Sequence, residues 1–120
     1  MTPEQKRRAQ RSIALQLSMV EGTLAAMRRA GLTEDQSVQL DFFFYARSEE
    51  RALELVAHLE QNDCLSLTTK RASGLPVQYV VEGKTFPTPV NKAVLSEWLP
   101  WIIVQGIVRD CEFDGFGAEI

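Results

Sequence analysis

The chain has 120 residues, 45% of them hydrophobic and 24% charged, with a net charge of -3. That is enough for one domain with a real core and no metal or disulfide staples, and it excludes a molecule that holds nucleic acid by bulk positive charge. The charge is uneven, however: residues 1–30 carry six basic and two acidic side chains, and the remainder is strongly acidic.

Residues 3–30 read as one long helix. Thr2 is placed as its N-cap, Pro3 at the first helical position and Gln5 where a capping box needs it. Ile13, Leu17, Val20, Leu24 and Met27 recur at steps of four and three and form one apolar stripe. The stripe is expected to pack on the rest of the domain; a dimer contact is the other reading, so a monomer or weak homodimer is expected. Gly31 suits a left-handed helix terminus. The start is charged and lacks the apolar core of a secretory leader. The longest apolar stretch, Trp98 to Val104, is too short to span a bilayer. A cytoplasmic protein with no membrane partner is therefore expected.

Val38 to Tyr45 alternates. Val38, Leu40, Phe42 and Phe44 share the core face, while Gln39, Asp41, Phe43 and Tyr45 share the other. Ser48 caps a second helix whose Ala52, Leu55, Val56 and Leu59 are buried, and which ends near Asn62-Asp63. Leu65 to Thr69 and Val77 to Glu82 make a hairpin around Ser73-Gly74. Thr88 is expected to cap a third helix with Pro89 at its first position. Val90, Val94, Leu95, Trp98, Ile102 and Val108 would face its core, and Pro100 should kink or split it near Ser96. Cys111 to Ala118 is the last strand, and Gly115 inside it signals a bulge or bend.

After the first helix the order is thus β-α-β-β-α-β. That predicts an α+β ferredoxin-like sandwich with an additional long N-terminal helix. Residues 1–31 would be the helix packing on the domain and 32–120 the domain itself. In this fold Cys64 and Cys111 begin strands on opposite edges, so they should be free thiols.

No catalytic constellation stands out. Gly83-Lys84-Thr85 resembles the end of a phosphate-binding loop, but Gln78 occupies the position of its first glycine, and Phe86-Pro87 forbids the helix that should follow; a solvent-facing loop is expected. His58 has no partners at a recognisable spacing and should be a half-exposed helix residue. The two cysteines lack metal-ligand spacing. Asp41, Glu112 and Asp114 could cluster across neighbouring strands, either as an acid–base or cation site or as an acidic surface for arginines on a partner. The acidic surface is the preferred reading. Phe43, Tyr45 and Phe116 are assigned to the open sheet face. Aromatics beside acids suit a protein partner better than an RNA backbone. A third possibility is that the N-terminal helix covers that face.

The stretches Met27-Arg28-Arg29-Ala30-Gly31, Asp41-Phe42-Phe43-Phe44-Tyr45 and Glu112-Phe113-Asp114-Gly115-Phe116-Gly117 together resemble the regulator of ribonuclease activity B family, small bacterial inhibitors of ribonuclease E. The last stretch is similar to that family's acid–aromatic–Asp-Gly–aromatic segment, with Phe116 where tryptophan is usual. Val108-Arg109-Asp110-Cys111 stands where glycines are usual. The resemblance implies a ferredoxin-like fold, no catalysis, and regulation of RNA degradation by binding the non-catalytic, scaffold-like part of ribonuclease E; no cofactor or metal is expected. The expected protein-binding residues are Asp41, Phe43, Tyr45, Glu112, Asp114, Gly115 and Phe116. Two readings stay beside it: a nucleic-acid-binding module using the basic N-terminal helix, and an immunity-type or other interaction domain with an unrelated partner.

Overall fold

The computed structural model describes residues 1–118; residues 119 and 120 of the expected domain lie outside the described residues. The architecture is α+β. Helix α1 spans Pro3–Arg29, strand β1 Ser37–Val38, β2 Asp41–Ala46, α2 Glu49–Gln61, β3 Leu65–Ala72, β4 Gln78–Lys84, β5 Thr88–Pro89, α3 Lys92–Ile107 and β6 Cys111–Gly117. Four strands form one antiparallel sheet in the order β3-β4-β2-β6, and β1 pairs with β5 in a separate antiparallel ribbon. The two cysteines therefore begin strands at opposite edges, and both are buried and free.

The ends of α1 follow from local chemistry. The Gln5 amide donates to Thr2 Oγ1 at 3.1 Å and the Thr2 amide to Gln5 Oε1 at 2.9 Å, closing the capping box. At the other end Gly31 has φ 101°, the Leu32 amide donates to the Met27 carbonyl at 3.0 Å, and the Gly31 amide to the Arg28 carbonyl at 3.0 Å. Only a residue tolerating positive φ makes this double closure. Buried Leu32 then seals the turn.

Helix α1 runs antiparallel to α3 and packs along it. Gln5 Nε2 reaches the Ile107 carbonyl, and Arg28 Nη2 donates to the Val90 carbonyl at 2.6 Å. It does not cover the open side of the sheet. Its buried stripe keeps four of the five expected residues, with Val20 and Met27 buried and Ile13 and Leu24 half-buried against the core, but Leu17 is exposed while Ala9 and Gln16 are buried. Steps of three and four can be threaded through a helix more than one way, and the face meeting α3 chose Gln16 over Leu17.

Two further expectations fail between β4 and α3. Gly83 lies within β4, where it is buried, so the Gly83-Lys84-Thr85 segment is no solvent-facing loop. Buried Thr85 instead accepts the Leu40 amide on its hydroxyl at 2.9 Å and donates to the Phe86 carbonyl. The cap of α3 is Asn91, accepting from the Val94 amide at 3.0 Å; Thr88 and Pro89 form β5 opposite Ser37 and Val38. Helix α3 is not split by Pro100, which lies within it, and Val108 is exposed.

The core sits between the sheet and α2 and α3. Leu40, Phe42, Phe44, Val81, Leu55, Leu59, Leu99 and Ile102 are fully buried. Gly106 lets α3 lie close on the start of β6 and the ring of Phe44: a Cβ there would stand 2.5 Å from Phe44 Cε1 and 2.9 Å from the Cys111 carbonyl oxygen. A backbone oxygen cannot swing aside as a side-chain tip can. Gly106→Ala should therefore lower stability by about 1–3 kcal/mol despite alanine's better helix propensity. Chemical denaturation measures this; an unchanged or raised midpoint would mean the helix–sheet contact is looser than described.

Candidate functional site: the open face of the sheet

Odd-numbered residues of β2 turn away from the helices. Asp41, Phe43 and Tyr45 are half-buried, whereas Phe42, Phe44 and Ala46 are buried. The ladder sets their neighbours. Tyr45 lies between Val80 and Glu112, Phe43 between Glu82 and Gly115, and Asp41 between Lys84 and Gly117. Two aromatic rings thus stand on the central strand. On one side they face a β4 row of mixed charge; on the other, two glycines leave β6 without side chains beside Phe43 and Asp41. A shallow depression of about 240 Å³ beside Phe43 is lined by Asp41, Ser66, Glu82, Gly83 and Lys84.

Strand β6 carries a bulge. Phe113 pairs with Phe44 and Gly115 with Phe43, so Asp114 is an extra residue on the β6 side. Gly115 has φ 136°, where side-chain-bearing residues are strained. The bulge reverses the parity of the strand beyond it. Phe116 pairs with Phe42 and packs edge-on against Trp98 at 5.6 Å, on the helix side. Its assignment to the open face is thus corrected, because alternation counted from Phe113 does not survive an inserted residue. The apolar anchors on that face are Phe43 and Tyr45.

The carboxylates are also redistributed. Asp41 is separated from Tyr45, the partner of Glu112, by four residues, about 13 Å along the strand. The three acids therefore do not converge. Among the described residues no group of three or more His, Cys, Asp or Glu side chains is placed to hold a metal ion. Asp41 is ion-paired with Lys84, Glu112 with Arg8 at 3.2 Å, and Glu82 with Lys70 at 3.9 Å. Asp114, exposed on the bulge, has no ion pair or hydrogen bond among the described residues. Lys84 and Glu82, which frame Phe43, lie at register positions that alternation alone would have revealed once β4 was paired with β2.

His58 is half-buried, with Nε2 2.7 Å from Gln105 Oε1, so its ring is held between α2 and α3. Burial pushes the Cys64 thiol up to about 11, with Asp63 adding to the shift. Burial likewise raises Cys111 to about 12, helped by Asp110 and opposed by Arg51 and Arg109. Neither thiol is an activated nucleophile.

No known protein family's sequence profile matches the chain. No curated protein matches it either.

Gly115 and Gly117 separate two roles of glycine. A Cβ at either would meet nothing within 4 Å, but only Gly115 has a positive φ. Gly115→Ala should cost about 1–3 kcal/mol through backbone strain alone, with Gly117→Ala near neutral. Equal midpoints for the two variants in urea unfolding would contradict the bulge geometry. Native Cys64 and Cys111 should react slowly with a disulfide reagent at pH 8, and quickly once denaturant is added. Their raised pKa values also carry a sign. The stability they contribute is present below the ordinary value of 9.0 and is lost as pH climbs towards about 11 and about 12. Fast reaction of the native protein would show that the burial is wrong.

Proposed function

We propose that this chain is a cytoplasmic, non-enzymatic regulator that binds a protein partner through the open sheet face. By its resemblance to the regulator of ribonuclease activity B family, the partner is ribonuclease E. The observation that carries the reading is the pair Phe43 and Tyr45. They are half-buried on the side of the sheet away from the helices, with Phe43 beside Gly115 and Tyr45 beside Glu112 on β6. An aromatic pair on an open sheet face offers anchors of the kind that dominate interface energies. Asp114 adds an unpaired charge at the rim for an arginine or lysine of the partner. The surrounding ion pair Glu82–Lys70 is an exposed pair of small worth, whereas Asp41–Lys84 is close and part-buried. The Glu82–Lys70 pair can be exchanged for contacts to a partner without large loss.

The ferredoxin-like reading belongs to the same proposal. The order β3-β4-β2-β6, with α2 and α3 connecting strands across it, supports that class, with α1 added against α3.

The test is direct binding to the purified non-catalytic segment of ribonuclease E, comparing wild type with Phe43→Ala/Tyr45→Ala and with Asp114→Arg. Circular dichroism would verify that each variant is folded. The aromatic double variant should lose at least about 2 kcal/mol of binding free energy. Asp114→Arg should weaken binding chiefly through the association rate, with a strong salt dependence. Wild-type affinity in both variants would discard this face as the interface. No binding by the wild type would discard ribonuclease E as the partner.

A further inference from the structure

Beside Glu112, arginines from α1, α2 and the connection after β2 gather around two adjoining depressions. The first, of about 410 Å³, is lined by Arg8, Arg47, Ser48, Arg51 and Asp110. The second, of about 470 Å³, is lined by Glu4, Arg7, Arg8, Arg11, Arg47 and Glu112. They share Arg8 and Arg47. Arg7, Arg8 and Arg11 come from the first turns of α1, Arg47 from the connection leaving β2, and Arg51 from α2.

From this arrangement we infer that the surface is a binding site for linked phosphate groups, one in each depression. Arg8 pairs with Glu112 at 3.2 Å, and Arg51 pairs with Glu54 at 2.9 Å and Asp110 at 3.5 Å. The side chains of Arg7, Arg11 and Arg47 have no ion pair or hydrogen bond among the described residues. The second depression holds four arginines against two carboxylates, Glu4 and Glu112, so its guanidinium groups outnumber the acids that line it. Mutual repulsion among the arginines is relieved by an oxyanion, and the guanidinium fork fits phosphate through paired N–H donors.

Ser48 contributes a further donor. Its oxygen accepts the Arg51 amide at 3.2 Å, which leaves the hydroxyl hydrogen for a ligand oxygen. The start of α2 adds little, because Glu49 and Glu50 already answer its dipole; the arginines supply the attraction. No aromatic ring lines either depression, so a nucleobase would have nothing to stack on, and recognition is through phosphate oxygens. Two joined positions suit a diphosphate, whether it is carried by a small molecule or formed by successive phosphates of a single-stranded RNA. Neither Phe43 nor Tyr45 lines these depressions, although Glu112, the ladder neighbour of Tyr45, borders the second, and the inference does not rest on the partner assigned to the aromatic pair.

The test titrates the full chain with pyrophosphate, against sodium chloride at equal ionic strength. Amide chemical shifts report the site, and calorimetry the affinity. Saturable binding is expected, with shifts at Ser48 to Arg51 and at Arg7 to Arg11. Arg11→Gln/Arg47→Gln should weaken binding by about tenfold or more, while its melting temperature without ligand stays level or rises as like charges are removed. A second variant, Arg7→Gln, should weaken it too.

Binding indistinguishable from the chloride control, or unchanged in both variants, would overturn the inference. A short single-stranded RNA that displaces pyrophosphate from the wild type would support the site with RNA as the source. Pyrophosphate binding that RNA leaves untouched would support it with a small-molecule source.

Discussion

The structure depends on a parity problem in the last strand. Phe113 and Phe116 are three positions apart, so a regular strand would send them to opposite faces. Both rings nevertheless meet Trp98, at 6.3 and 5.6 Å, in a cluster completed by Phe42 and Phe44. The extra residue Asp114 makes this possible, and Gly115 accepts the positive φ that the insertion requires. Edge-to-face aromatic packing of this kind adds about 0.5–1.5 kcal/mol per pair beyond area burial. The bulge is therefore held by the core it helps to fill.

The same device shapes the outer surface. By turning Phe116 inward it leaves β6 with two glycines next to Phe43 and Asp41. It also raises Asp114 as an exposed charge with no partner among the described residues. The proposed interface and the aromatic core are thus two faces of one irregularity. Strain kept at a surface by a well-packed interior is a common property of functional positions.

Much of the fold was legible because local signals agreed with global ones. Ser48 before Glu49-Glu50, the Thr2–Gln5 box and Gly31 mark helix limits through hydrogen bonds that span only a few residues, and sequence alone displays those. The alternation from Leu40 to Phe44 declared the core face for the same reason. What failed depended on distant partners. Thr88-Pro89 carries a good helix-start signature, yet pairing with Ser37-Val38 claimed it as a strand, and Asn91 took the cap. Gln16 is buried in place of Leu17 because the face of α3 chooses which ridge of α1 it meets.

The candidate site was legible in part, and for related reasons. Phe43 and Tyr45 kept the side that alternation assigned them. Phe116 did not, although Gly115 had signalled a bulge, because its consequence for parity appears only when the ladder with β2 is known. Asp41, Glu112 and Asp114 were read as one cluster from strand adjacency, but register spreads them along the strand. The role of Arg8 as the partner of Glu112 crosses most of the chain and leaves no local trace. The most direct test of the bulge as organiser is a set of nuclear Overhauser contacts from the Trp98 indole in solution. The account predicts contacts to the rings of both Phe113 and Phe116. Contacts to Phe113 alone, with Phe116 instead touching Phe43 or Tyr45, would contradict it.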